Sequence, residues 1–208
     1  MNGLANTSNH EGQIKKAPKK NSEKKVESIT TEEAEIKPGE LWTFNKTVYS
    51  DRSIIVEVEL NGKLSDIVEY LPDRDIFLVN GVETNVIIEK ENTDLSINAV
   101  PTGGTYMGKW HYSINLLTTS AGAAASILAM AAGNNPIGWA TGVVAFFYGT
   151  QTTLYYTVEQ WRYAYKCQAY PYFNKTTVWT NVNRNVIQSI NESGKFFSTQ
   201  PVPASCTP

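Results

Sequence analysis

The chain holds two histidines, His10 and His111, and acid–base catalysis needs such a group set beside a nucleophile or a labile proton. His10 falls in a Lys-, Asn- and Ser-rich N-terminal stretch, and His111 follows Trp110 in an expected strand. No Ser or Cys arrangement beside either one suggests a hydrolytic triad, so His111 reads as a structural imidazole. The pairs Asp73/Asp75 and Glu57/Glu59 invite the two-carboxylate chemistry of glycoside cleavage. Their spacing is also that of charges alternating along the wet face of a strand, and that reading is preferred. Gly103-Gly104 builds neither a phosphate-binding loop nor a dinucleotide fingerprint. Two cysteines, Cys167 and Cys206, fall short of the about four ligands of a structural zinc site. They are expected to form one disulfide that ties the tail to the strand carrying Cys167, which requires an oxidising compartment. No metal, no cofactor and no enzymatic activity is expected.

Charge points the same way. A formal net charge of −2 over 208 residues announces neither nucleic acid nor an acidic surface as partner. The run KKAPKKNSEKK, with Lys15, Lys16, Lys19, Lys20, Lys24 and Lys25, is interspersed with Glu further along and reads as a solvated extension. Residues 1–38 hold few large apolar side chains, so disorder is expected there. Met1 to Gln13 lacks the apolar region of a secretory leader, and a leader already trimmed is expected. From Trp110 through Val158 there is no Lys, Arg, Asp or Glu at all.

The elements that position these groups are mostly short. Leu41–Tyr49 and Ser53–Leu60 alternate like strands, and Asn61-Gly62 supplies a turn. Leu64, Ile67, Val68 and Leu71 sit at helical spacing ahead of Pro72, which predicts a short helix. Ile76–Val79 and Val82–Glu89 flank Asn80-Gly81, a strong hairpin signal. Leu95–Val100 and Trp110–Ser113 read as further strands. Past the charge-free run, alternation in Trp161, Tyr163, Tyr165 and Cys167 and the stretch Thr176–Ile187 predict a two-stranded ribbon.

Within the charge-free run, Ile114–Ala132 is dominated by Ala, Leu, Ile, Ser and Thr, and a second apolar stretch covers Ile137–Tyr148. Gly133 suits a helix stop and Pro136 a helix first turn, so the two stretches predict an antiparallel helical hairpin. Gly122 and Ala125 would face Gly138 and Gly142, where small side chains let helix axes approach closely. Each arm comes near the about 20 residues that span a bilayer core of about 30 Å. Helices apolar on all sides are found in a protein interior or in lipid, and the Ala-rich, Ser- and Thr-dotted composition makes insertion marginal.

The segments GKWHY at Gly108–Tyr112, NPIG at Asn135–Gly138 and YYTVEQWRYAYK at Tyr155–Lys166 resemble, in order and texture, small secreted proteins of Gram-positive bacteria described as large unmodified bacteriocins of the geobacillin type. The resemblance covers about Trp110 to Ile190 and implies export and an antibacterial, membrane-directed activity; no site residue comes with it.

The sequence reading is therefore a secreted, extracellular α+β protein. An extension (1–38) precedes one domain (39–200), in which strands and hairpins surround a central hydrophobic helical hairpin at about 114–150, and an irregular tail (201–208) follows. Ile114, Leu117, Ile127, Leu128, Met130, Ile137, Trp139, Val143, Val144, Phe146 and Phe147 would enter lipid, and Lys109, Arg162 and Lys166 would meet headgroups. The expected partner is a target-cell membrane, with a self-oligomer or a cell-surface receptor as further candidates and no nucleic acid. The other function class kept open is a non-catalytic module that binds cell-wall polymer or sugar through Trp161, Tyr163, Tyr165, Tyr170, Tyr172 and Trp179.

Overall fold

A computed structural model of the chain describes residues 24–72, 74, 76–84, 86, 89–91, 103–133, 137–163 and 171–197. It is mostly β. Six strands form a first antiparallel sheet in simple meander order: β1 (Val26–Lys37), β2 (Glu40–Tyr49), β3 (Ile54–Leu60), β4 (Lys63–Leu71), β5 (Ile76–Val79) and β6 (Val82–Glu83). A second antiparallel sheet holds β7 (Glu89–Glu91), β8 (Gly104–Asn115), β9 (Thr153–Tyr163), β10 (Pro171–Trp179) and β11 (Ile187–Phe197) in the order β11-β10-β9-β8-β7. Among the described residues two short helices, α1 (Ala121–Ala131) and α2 (Ile137–Phe147), interrupt the strands, between β8 and β9. The expected α+β fold organised around a long central hairpin is thus corrected to two antiparallel sheets that carry a short helical insert.

Asn61-Gly62 and Asn80-Gly81 have positive φ at both positions, 50°/75° and 52°/78°, as a two-residue turn matched to strand twist requires. Both turns close hairpins of the first sheet, β3–β4 and β5–β6.

Two expectations for this sheet fail. Leu64–Leu71 is strand β4, paired on both sides. A register shift next to Glu59 leaves Asp66 and Val68 buried with Leu64 and Ile67 exposed, so cross-strand pairing overrides the helical spacing. Residues 26–37, expected to be disordered, form edge strand β1 along β2. Glu32, Ala34 and Ile36 are its less exposed positions, while Thr31, Glu33, Glu35 and Lys37 face water, and a strand needs only one apolar face. Residues 1–23 lie outside the described residues.

The aromatic ribbon is likewise no free pair of strands, because β9 is bonded to both β8 and β10. Leu95–Val100 lies outside the described residues.

The core gathers Trp42, Phe44, Val56, Val58, Val68 and Phe77 from the first sheet, most of α1 and one side of α2, and Ile114, Leu154, Tyr156, Val158 and Val178 from the second. Each large aliphatic or aromatic side chain buried there stabilises the fold by roughly 1.5–3 kcal/mol before entropy is counted.

Candidate functional site

The helical insert is built from the residues that the charge-free run supplies. Ser120 caps α1, with extended backbone (φ −62°, ψ 159°) and its hydroxyl accepting from Ala123 N at 3.1 Å. Gly133, at φ 71°, ends that helix by its left-handed turn. Each helix has 11 residues, about 16 Å of rise, or half of a hydrocarbon core. Among the described residues no helix is long and apolar enough to cross a membrane. The near-spanning arms read from the sequence are therefore too long. Ile114 belongs to β8, paired with Leu154, and Leu116–Thr119 form a loop.

Most of the expected insertion residues are buried in the folded protein. Ile114, Ile127, Leu128, Ile137, Val143, Val144 and Phe147 belong to the core, and Met130 and Trp139 pack against it. Two are not: Leu117 is 75% and Phe146 57% exposed. Of the small residues expected at the helix seam, Gly122 and Ala125 are buried, but the partner of Gly122 is the first sheet. A Cβ on Gly122 would lie 2.5 Å from Trp42 and 2.5 Å from Val58. Gly138 and Gly142 are exposed and a Cβ on either meets nothing within 4 Å. Their GxxxG spacing is no packing motif here, because it faces outward.

Polar clasps hold the ends of both helices. From β4, buried Asp66 accepts the Ser120 hydroxyl at 2.6 Å, and it also accepts from Ser65 Oγ at 2.8 Å and Asn80 Nδ2 at 3.0 Å. From β1, Glu32 Oε2 accepts from Ile137 N, the first residue of α2, at 3.0 Å. A carboxylate thus reaches each helix N-terminus, directly at α2 and through the capping hydroxyl at α1, where unpaired N–H groups and the macrodipole favour negative charge. Beside Glu32, burial pushes the Lys46 ammonium below its ordinary value, and the Glu32 charge opposes that shift. The second sheet adds two more bonds: at the C-terminal end of α1 Asn174 Nδ2 donates to Ala132 O at 3.2 Å, and in the first turn of α2 Trp139 Nε1 donates to Ser189 Oγ at 3.3 Å. Sequence reading missed these clasps. The one local signal was Ser120 three residues ahead of Ala123, an N-cap spacing.

The remaining expected sites are dispersed. Lys109 pairs in register with Glu159, well inside the second sheet, and Arg162 lies near the far end of β9. Neither brackets the insert, since a strand advances about 3.3 Å per residue and the insert joins at Asn115 and Thr153. Lys166, Cys167 and Cys206 lie outside the described residues, as do Asp73, Asp75, Tyr165 and Tyr170. Trp161 and Tyr163 are only 3% and 7% exposed, and Trp161 packs between Tyr106 and Phe173. Tyr172 and Trp179 are half-buried. Trp161 and Tyr163 thus face protein rather than solvent and are not part of an exposed aromatic platform. His111 Nδ1 lies 2.9 Å from Thr157 Oγ1, a contact across neighbouring strands. Glu57 and Glu59 share the outer face of β3, where Glu59 accepts from Asn45 at 3.4 Å. Among the described residues no three His, Cys, Asp or Glu side chains group as metal ligands. Comparison with family models, with curated proteins and with solved structures finds no match to this chain.

Proposed function

We propose that the protein perturbs bacterial membranes by releasing its helical insert into the outer leaflet of a bilayer. The observation that carries this reading is the make-up of the insert. Two helices without one ionic side chain are held by apolar packing and, among the described residues, by hydrogen bonds near their ends. Release exchanges protein hydrocarbon for lipid hydrocarbon, so its main costs are those hydrogen bonds and the core they leave behind. Helices of about 16 Å wedge into one leaflet rather than span two. Secretion, and the resemblance to large unmodified bacteriocins, belong to the same reading.

The test is dye release from liposomes by the full chain and by Gly138→Lys plus Gly142→Lys. Both positions are exposed and Lys favours a helix over Gly, so the fold is expected to persist, as circular dichroism would verify. Each lysine costs about 2.5–3.5 kcal/mol at bilayer depth, so release should fall by more than about tenfold. Release that the lysines leave unchanged, or no release from vesicles of any composition by the unaltered chain, would sink the proposal.

A further inference from the structure

Five exposed large hydrophobic residues gather at one end of the molecule. There the second sheet ends in three neighbouring connections, the loops 116–120, 148–152 and 180–186. They are tied together: Leu116 N donates to Thr152 O at 2.8 Å and Gln151 Nε2 to Thr180 O at 3.1 Å, while Thr150 Oγ1 donates back to Phe146 O of α2 at 3.2 Å. From this end project Leu117 (75% exposed), Phe146 (57%), Val182 (58%), Val186 (51%) and Ile187 (52%). The three loops contain no Asp or Glu and one cation, Arg184, whose guanidinium lies 5.9 Å from the Tyr155 ring centroid. Half-buried Tyr148, Tyr155 and Trp179 stand immediately behind the tips. Asp66, which reaches Ser120 from the first sheet, is buried and hydrogen-bonded.

We propose that this end docks on an anionic lipid bilayer, with the five apolar side chains in the interface and Arg184 against a headgroup phosphate. Three features select lipid over a protein partner. Leu117 and Val182 stand on separate loops, Phe146 at the end of α2 and Val186 with Ile187 at the start of β11, so the apolar side chains are spread over four places rather than drawn from one element. Tyr and Trp set behind aliphatic tips match the order of a membrane interface, where amphipathic rings sit at headgroup depth. The one charge of the loops, Arg184, is complementary to anionic lipid. The inference rests on the membrane reading above and adds to it the point of first contact. The N-terminus of α1 and the C-terminus of α2 both open at this end, so docking brings the insert to the lipid with its ends foremost.

The experiment is co-sedimentation of the full chain with vesicles of equal parts phosphatidylcholine and phosphatidylglycerol, beside phosphatidylcholine alone. The pair Leu117→Asp plus Val182→Asp should lower binding to the mixed vesicles by more than about tenfold, each change removing a buried aliphatic and adding a repelled charge. Arg184→Gln should lower it a few-fold on mixed vesicles and leave phosphatidylcholine alone unchanged. Ile29→Asp, on the outer side of β1 away from this end and 68% exposed in the parent chain, should bind as the parent does. Leu117, Val182 and Ile29 are exposed and Arg184 is half-buried, and Val186→Asp with Ile187→Asp is a second pair should the first unfold. Binding equal in the parent and the Asp pairs overturns the proposal. So does a concentration-dependent dimer, lost in the Asp pairs, from a chain that ignores vesicles. Docking without dye release would leave this inference standing and sink insertion; dye release undiminished in the Asp pairs would do the reverse.

Discussion

The two helices share length and composition class, yet they occupy different environments. In α1 nine consecutive residues, Ala121 to Ala129, are buried. In α2 burial recurs at Ile137, Ala140, Thr141, Val143, Val144 and Phe147, while Gly138, Gly142 and Phe146 face water. The first is a helix enclosed on every side and the second a lid with one wet face. Small residues consequently mean opposite things. In α1 they let a sheet come close; in α2 they leave the outer face bare. The same substitution should therefore carry opposite signs in the two helices.

The largest effect is expected at Gly122. Its missing Cβ is what lets the Trp42 ring and Val58 seat against α1, at the 2.5 Å separations that an added methyl would meet. Trp42 is 4% exposed and Val58 fully buried, so neither can swing away. Gly122→Ala should cost roughly 3 kcal/mol, the overpacking penalty exceeding the usual helix gain of Ala over Gly. The urea midpoint of unfolding measures it, and an unchanged midpoint would mean that α1 does not press on the first sheet.

Next comes Ser120, which serves two partners at once, accepting from Ala123 N and donating to Asp66. Ser120→Ala should cost about 2 kcal/mol: about 1 for the cap and the rest for a buried carboxylate deprived of a donor. Ser120→Thr, which keeps the hydroxyl, should recover most of the loss. If insertion requires this clasp to open, Ser120→Ala should also raise the initial rate of dye release while lowering stability.

Parts of this arrangement were legible in sequence. The Asn-Gly turns follow from local backbone chemistry, and the two helical stretches follow from composition with Gly133 between them. The length of the arms was not legible. Ile114 continues the alternation of Tyr112 on β8, and a strand entering a helix keeps an apolar texture throughout. Strand β1 was missed because its outer face is as polar as a disordered tail, and only Ile36 is fully buried on its inner side. The clasps were out of reach for a simpler reason: Glu32 stands 105 residues from Ile137 and Asp66 stands 54 from Ser120. Contacts between distant positions leave no periodicity in one chain.

The smallest effect sharpens the comparison most, because its sign is reversed. Gly142 lies in the interior of α2, is exposed, and has open space where a Cβ would stand. Gly142→Ala removes backbone freedom from the unfolded chain and clashes with nothing in the folded one, so it should stabilise the protein by about 0.5–1 kcal/mol. Combined with Gly122→Ala the two changes should add, since the first acts on the wet face of α2 and the second under α1. A loss at Gly142 comparable with that at Gly122 would mean that the GxxxG face is covered, by a second copy or by residues outside those described, and the reading of α2 as a lid with one wet face would fail with it.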